Sequence, residues 1–251
     1  MVQLEHDGER LLFDPSYTLH KKGFRPPDDE LSKVKRILVT HGHIDHIGGI
    51  PEALNHCDKS ATVYCTAKPL EVLTLKGVEV ARLHKIAPGD VLDFDPFQVR
   101  VLKGKHVIYN KALVAGKVLN PRNLIYPRKL SYLLKENRVC HEAGETVVFE
   151  VTAADKRLLL LGSLNLDGET EYLEGVDLFV LPYQGRSDVC TYALQFVKLL
   201  KLKRVLLDHY DDSFPPISAA VDTEPFIALM RKEYPEIPVM CPRAGEDWIS
   251  V

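Results

Sequence analysis

The chain has 251 residues, of which 45% are apolar and 27% charged, and its net charge is −3. This near balance disfavours a protein that binds nucleic acid or an anionic membrane surface along its whole length. The sequence has no apolar run of about 18 residues, so we expect no membrane span, and its start is unlike a secretory leader. Five scattered cysteines without a CxxC pair are typical of reduced thiols, so we expect a cytoplasmic protein.

Strands dominate the first hundred residues. Asp7-Gly8 lies between two short apolar runs and predicts a hairpin, whose second strand ends at Asp14-Pro15. A buried strand at 37–39 leads into a polar loop at 40–49, and proline in the first turn favours a helix at 51–57. The remaining predictions are strands at 62–65, 78–84, 91–94 and 97–102 and a helix at 69–76.

The pattern changes after residue 103. A segment at about 107–145 shows no strand alternation and contains a predicted helix at 129–136. Beyond it we predict strands at 146–152, 157–161, 177–181 and 204–208 and helices at 188–201 and 222–233, the last with Thr223 as N-cap. Two batches of strands, each followed by a helix, predict an α/β fold with two sheets between helices. We expect one domain over 1–251, with 107–145 as an inserted basic lid.

The loop at 40–49 carries the most informative motif. In extended backbone, residues two apart project to the same side, so His41 and His43 can bind one ion. Asp45 and His46 then face a second position, and two glycines allow a tight turn into the next helix. The alternative is a polar loop in which the three histidines and the aspartate occur at these positions by chance. A chain of this composition would contain that pattern in roughly one case in a thousand.

This motif resembles the His-x-His-x-Asp-His element of the metallo-β-lactamase superfamily, and the resemblance extends over most of the chain. It implies a four-layer αββα sandwich with one or two divalent ions (zinc, manganese or iron) at the sheet edge. The implied first site is held by His41, His43 and His106, and the second by Asp45, His46 and His209. Asp14, at the end of an early strand, matches the aspartate that supports these ligands from behind.

One position departs from the family pattern. The family usually has Gly-Asp where this chain has Gly162-Ser163, and that carboxylate bridges the two metals. A neutral serine hydroxyl is a poor bridge. Three outcomes are open: a carboxylate comes from Asp167, Asp211 or Asp212, one metal binds tightly and the other weakly, or the site is degenerate.

Such a site predicts hydrolysis by metal-bound hydroxide. Asp45 is then the catalytic residue, which orients the nucleophile or passes a proton to the leaving group. The sequence has no Gly-x-Ser-x-Gly element, so nothing favours a covalent serine mechanism. Oxygen reduction is disfavoured, because family members with that activity carry glutamate where His43 stands. Asp208, beside His209, is either a strand-end residue or a group that orients a ligand.

The distribution of basic residues favours an anionic class of substrate. Residues 96–135 contain nine basic and no acidic side chains, which predicts either an electropositive lid or a solvated helix face. The lid would recruit a small anionic ester, lactone or phosphodiester, with Lys105 and Tyr183 as candidate contacts. One alternative is a non-catalytic or single-metal protein, because of Ser163. A nuclease is disfavoured, because the chain is too short for an added nucleic-acid domain; the sequence predicts no oligomeric state.

Overall fold

The computed structural model describes residues 1–16, 24–121, 125–212, 214, 218–243, 245 and 248–251. The strands are β1 Val2–His6, β2 Glu9–Phe13, β3 Arg36–Leu38, β4 Thr62–Cys65, β5 Leu83–Lys85, β6 Val91–Asp93, β7 Phe97–Lys103, β8 Val147–Ala153, β9 Lys156–Leu161, β10 Leu178–Pro182, β11 Val205–Asp208 and β12 Val239–Met240. The helices are α1 Asp28–Leu31, α2 Ile44–Ile47, α3 Ile50–His56, α4 Ala67–Leu75, α5 Lys111–Val118, α6 Pro127–Val139, α7 Val189–Leu200 and α8 Glu224–Glu233, with a 3₁₀ turn at Val80–Arg82. Arg122, one of the nine basic residues, lies outside the described residues.

The predicted N-terminal hairpin is confirmed. Strands β1 and β2 are antiparallel and pair Val2 with Phe13 and His6 with Glu9. Asp7 and Gly8 both have positive φ, at 49° and 79°, which is the backbone that a two-residue hairpin turn requires.

The strands form two sheets. The first has the order β1-β2-β3-β4-β5, and the second has the order β12-β11-β10-β9-β8-β7-β6. In the first sheet, β2 to β5 are parallel. In the second, β7 and β9 both run antiparallel to β8, and β9 to β12 are parallel. The carboxyl ends of β7, β9, β10 and β11 therefore share one edge of the second sheet.

Side-chain alternation along the strands produces the layers. Leu11 and Phe13 of β2 face the core between the sheets, whereas Leu12 faces the core beneath the first helices. In β8, Phe149 lies between the sheets and Val148 packs toward α7 and α8. Each sheet therefore buries both faces, which confirms the α/β sandwich of four αββα layers.

Several local predictions need correction. Residues 78–84 include the 3₁₀ turn before a shorter strand, and helices α2 and α5 lie in segments predicted as irregular. The apolar side chains of α5 give no helical signal because they do not form a buried stripe; Val114, for example, is exposed. Thr223 occupies the N-cap position of α8, but its side chain makes no capping hydrogen bond. The carboxylate of Asp222 accepts the bond from the Glu224 amide instead, at 3.1 Å.

The strand ends position the candidate site. Asp14 follows β2, Thr40 lies just beyond β3, Ser163 follows β9 and His209 follows β11. Because these strands are packed into two facing sheets, the residues that follow them meet at one edge of the sandwich. Within the described part of the chain, no helix is long and apolar enough to cross a membrane.

Candidate metal centre

Six histidine and aspartate side chains meet at this edge in two groups of three. The first group is His41, His43 and His106, and the second is Asp45, His46 and His209. Within each group, the candidate ligand atoms lie within 4.8 Å of one another. The groups are adjacent, because the ring centroids of His41 and His46 are 3.9 Å apart. The structure thus brings together every residue for which the sequence predicted metal binding.

The Thr40 hydroxyl fixes the tautomer of His41. Its oxygen lies 2.6 Å from Oδ2 of Asp14 and 3.0 Å from Nδ1 of His41. An ionised carboxylate only accepts hydrogen bonds, so the hydroxyl donates to Asp14 and accepts from the Nδ1–H of His41. The Nε2 atom of His41 therefore carries a lone pair that faces the site. The motif alone did not predict this hydrogen-bonding position of Thr40 behind the candidate ligands.

Two further histidines are oriented in the same way. Nδ1 of His46 donates to Oδ2 of Asp14 at 2.8 Å, and Nδ1 of His106 donates to the Val107 carbonyl at 3.0 Å. In both rings, Nε2 is left as an acceptor. Fixing one ring nitrogen by a hydrogen bond while the other binds metal is the common arrangement of histidine ligands in proteins.

The donor atoms fit divalent cations. Nε2 of His41 lies 3.1 Å from Nδ1 of His43, so two basic nitrogens converge in the first group. In the second group, Nδ1 of His209 is buried and has no hydrogen-bond partner among the described residues. Imidazole nitrogen together with carboxylate oxygen is a donor set that zinc, manganese and iron accept.

The strained backbone at two of these positions supports a functional role. Asp14 and His209 have φ of 47° and 57°, in the left-handed region that glycine favours. For other residues this conformation costs about 1 kcal/mol or more, and it is concentrated at functional sites. Both residues immediately follow strands, where the chain turns their side chains toward the site.

The two groups differ in protonation. Burial holds the pKa of His41 well below its usual value and lowers that of His43 to about 4, and burial also lowers the pKa of His106. Burial alone would lower the pKa of His209, but the hydrogen bond and charge of Asp45, with Asp208, outweigh it and raise this pKa to about 9. The same contact, 3.2 Å between His209 Nε2 and Asp45 Oδ2, holds the pKa of Asp45 well below its usual value against the effect of burial.

We therefore expect the two groups to differ in the pH dependence of metal binding. At neutral pH the first group is already deprotonated, so its affinity should change little between pH 6.5 and 8.5. His209 retains a proton below about pH 9, and a cation in the second group must displace it. Its affinity should fall about tenfold for each pH unit below 9. Calorimetry in two buffers of different ionisation enthalpy measures the protons released, and equal release from both groups would contradict this expectation.

Ser163 supports His106. Its hydroxyl accepts a 3.0 Å hydrogen bond from the buried amide of Val107, and the Asn165 side-chain amide donates to the His106 carbonyl at 3.1 Å. Ser163 thus holds the loop that carries a candidate ligand. Asn165 is a second supporting residue that the sequence did not indicate.

The structure also locates the carboxylates considered as replacements for the missing bridge. Asp167 pairs with Lys103 at 3.2 Å and accepts a hydrogen bond from Thr170. Asp212 accepts a hydrogen bond from Ser218. Among the described residues, neither group of ligands includes Asp167, Asp211 or Asp212. The arrangement of the described residues therefore does not favour the outcome in which one of them bridges two metals.

Asp14 connects the ligands to the fold. Its carboxylate accepts from the Thr40 amide at 2.8 Å, from the Thr40 hydroxyl and from His46. We expect Asp14→Asn to weaken metal binding in the second group by about 10- to 100-fold, because an amide cannot accept all three bonds. Competition with a chromophoric chelator measures this change. Asp155→Asn, in the exposed β8–β9 turn, is the matched control; equal effects of the two variants would contradict the expectation.

The two residues predicted to contact substrate differ in their location. Tyr183 is fully buried and packs against Phe226 at 5.3 Å, so its assignment as a substrate contact is wrong. Its position directly after β10 suggested the site edge, but its ring turns into the core beneath α7 and α8. Lys105 is exposed and precedes His106, so it remains a candidate contact.

Both ends of the 107–145 segment lie beside the candidate metal groups. The ring of Tyr109 is 5.8 Å from that of His106. At the other end, the carbonyl of His141 lies 2.5 Å from where a Cβ on Gly42 would be, so only glycine allows this approach. The charge of His141 also contributes to lowering the pKa of His43, after burial and nearer groups. The sequence had assigned His141 no role.

Contacts on both sides hold this segment across the edge of the sandwich. The Asn110 amide donates to Ser187 and Asp188 at the start of α7, at 2.7 and 3.1 Å. Glu136 of α6 pairs with Lys76, at the end of α4, at 2.6 Å. Because α4 and α7 cover different sheets, the segment spans the two helical layers.

Comparison with known families and structures agrees with this architecture. The model of the β-lactamase superfamily domain matches residues 9–210. An Agrobacterium fabrum protein described as a UPF0173 metal-dependent hydrolase is 26% identical over 248 residues, covering 97% of this chain and 94% of the relative. A protein of the same description from Geobacillus thermodenitrificans is 28% identical over 239 residues, covering 92% and 89%.

Solved structures show the same fold at low sequence identity. The metallo-β-lactamase fold protein YhfI from Bacillus subtilis superposes with a TM-score of 0.61 at 13% identity, covering 98% of this chain and 89% of YhfI. An isothiocyanate hydrolase from Delia radicum gut bacteria also has a TM-score of 0.61, at 14% identity, covering 99% and 96%.

Proposed function

This chain belongs to the β-lactamase superfamily, and on that premise we propose that it is a metal-dependent hydrolase of a small anionic ester, lactone or phosphodiester. The observation that carries the proposal is the pair of adjacent ligand groups, in which hydrogen bonds leave Nε2 of His41, His46 and His106 as lone-pair donors. The full-length similarity to proteins described as metal-dependent hydrolases supports it.

The proposed division of roles follows the two groups. His41, His43 and His106 would hold one divalent ion, and Asp45, His46 and His209 a second. When bound, such ions lower the pKa of coordinated water to about 7 and polarise the oxygen of the substrate. Thr40, Asp14 and Ser163 keep the ligands in place through the hydrogen bonds described above.

We assign Asp45 the role of orienting the attacking water. Its low pKa keeps it ionised, so it accepts a hydrogen bond and is poorly suited to donating a proton to a leaving group. Lys105 and Lys111 are exposed and pair with no carboxylate among the described residues, which leaves them available to an anionic substrate. Arg100 and Lys103 are in ion pairs, so only part of the basic segment serves this purpose.

Reconstitution tests this proposal. Protein stripped with a chelator is reloaded with zinc, manganese or iron(II) and assayed against p-nitrophenyl butyrate, bis(p-nitrophenyl) phosphate, a thioester and a lactone. We expect turnover of at least one substrate, lost on stripping and restored by metal. A chain that binds metal stoichiometrically but turns over none of these substrates would contradict the proposal and favour a non-catalytic protein.

The single-metal alternative rests on Ser163. Its hydroxyl accepts a hydrogen bond from the Val107 amide, and among the described residues Asp45 is the one carboxylate in the two ligand groups. Metal content under activating conditions separates the two possibilities. Full activity at one ion per chain would favour the single-metal enzyme, whereas activity that rises with the second ion would support the two-ion assignment.

A further inference from the structure

Exposed apolar side chains are concentrated on the 107–145 segment. Of the fifteen large apolar residues exposed in the described structure, nine lie between 108 and 139. Leu119 is 79% exposed, the highest fraction among them. Isolated exposed apolar residues are common on proteins, but a local concentration marks a place where an apolar partner or ligand binds.

Part of this surface is concave. Tyr109, Val114, Ala115 and Leu119 line an open groove of about 480 Å³ along α5. Lys111 is the charged residue in its wall. The volume lies in the range of small-molecule sites, about 300–1,000 Å³. The groove thus combines an apolar floor with one cationic group.

The groove adjoins the candidate metal centre. Tyr109 belongs to its wall, and the ring of Tyr109 lies 5.8 Å from the ring of His106. Asn110, between Tyr109 and Lys111, is held by Ser187 and Asp188 and also accepts a 3.1 Å bond from the Leu113 amide in the first turn of α5. Hydrogen bonds therefore connect the groove to the start of α7, beside the first group of ligands.

We propose that this groove binds the apolar part of an anionic amphiphilic substrate, an acyl or aryl chain that also carries a carboxylate or phosphate, and presents its scissile bond to the metal centre. The assignment rests on the proposed hydrolase function and narrows its substrate class. Residues 96–135 contain no acidic side chain, so the charge around the groove favours an anion. Tyr109 lines the groove and also contacts the ring of His106, and this proximity to the candidate ligands favours a substrate over a partner protein.

Binding of straight-chain carboxylates tests the groove without requiring turnover. Metal-loaded protein is titrated with butyrate, hexanoate, octanoate and decanoate below their micellar concentrations. We expect affinity to rise about two- to fourfold with each added methylene, as burial of apolar surface in a partly open groove predicts. Lys111→Gln should weaken the binding of decanoate and leave the binding of decanol unchanged. An affinity that does not depend on chain length would overturn the proposal.

Matched variants locate the binding site. Leu119→Asn should weaken the binding of decanoate at least tenfold and leave the binding of butyrate nearly unchanged, and Val114→Asn should do the same, because asparagine removes the apolar contact without adding charge. Leu199→Asn, at an exposed position in the last turn of α7, is the control and should alter the binding of neither ligand. Circular dichroism verifies that each variant is folded. Equal losses in the Leu119 and Leu199 variants would overturn the proposal.

Other occupants of the groove give different results. A second copy of the chain would appear as a dimer in sedimentation that Leu119→Asn dissociates. A membrane would appear as vesicle binding without binding of monomeric decanoate. Either result would overturn the proposal. Chain-length-dependent binding in a protein that hydrolyses nothing would support the groove and contradict only the hydrolase function. Hydrolysis that does not depend on chain length would support the hydrolase function and contradict the groove.

Discussion

Replacing His43 with alanine is expected to remove one bound ion per chain and to lower kcat/KM about a thousandfold. His43 supplies one of the three nitrogens of the first group, and its Nδ1 faces Nε2 of His41 at 3.1 Å. A bound metal contributes several kcal/mol to transition-state stabilisation, and about 4 kcal/mol corresponds to a thousandfold change in rate. Metal content by mass spectrometry and steady-state kinetics on the best substrate of the panel measure the two effects.

The control for this variant is another histidine of the same chain. His84 lies on β5, is exposed and packs against Tyr64 in a tilted arrangement with a centroid distance of 5.1 Å. His84→Ala should retain both ions and full activity. If His43→Ala also retains its metal and its activity, His43 is not a ligand and the assignment of the first group fails.

Replacing Gly162 with alanine should both destabilise the protein and weaken metal binding. A methyl group at this position would overlap the side chain of Thr40, which is fully buried. Relief requires Thr40 to move away from Asp14 and His41, the contacts that orient the ligands. We expect a loss of about 2–4 kcal/mol in the free energy of unfolding of the metal-free protein and at least about tenfold in metal affinity.

Gly116 provides the comparison. It lies in α5, and no atom of the described residues outside the adjacent helix backbone is within 4 Å of the position where its Cβ would be. Gly116→Ala should therefore be neutral or stabilising by up to about 1 kcal/mol, because alanine favours helix. Urea unfolding of both variants measures their free energies of unfolding. A Gly162→Ala protein as stable as the parent, with unchanged metal affinity, would show that the packing against Thr40 has no role in the site.

The local sequence was sufficient to predict features that depend only on residues close together in the chain. Asp7-Gly8 predicted the first hairpin, because few other dipeptides accept positive φ at two successive positions. The spacing of His41, His43, Asp45 and His46 predicted a metal site, because these residues lie on one loop. His106 and His209 came only from the family resemblance, since their proximity depends on how two sheets pack.

Long-range contacts limited the remaining predictions. Ser163 seemed only a lost bridging residue, but its hydroxyl holds the Val107 amide, a contact between residues 56 apart in sequence. Tyr183 seemed to face the site, although its ring is buried in the core. Helix α5 was missed because its apolar residues line an open groove and form no buried stripe.

Anomalous scattering from crystals of metal-loaded protein shows whether the two ligand groups bind metal. Data collected on both sides of the absorption edge of the bound metal identify the element and give its positions and occupancies. We expect one peak among His41, His43 and His106 and a second among Asp45, His46 and His209. Fully loaded crystals whose metal lies elsewhere, with neither group occupied, would contradict this expectation.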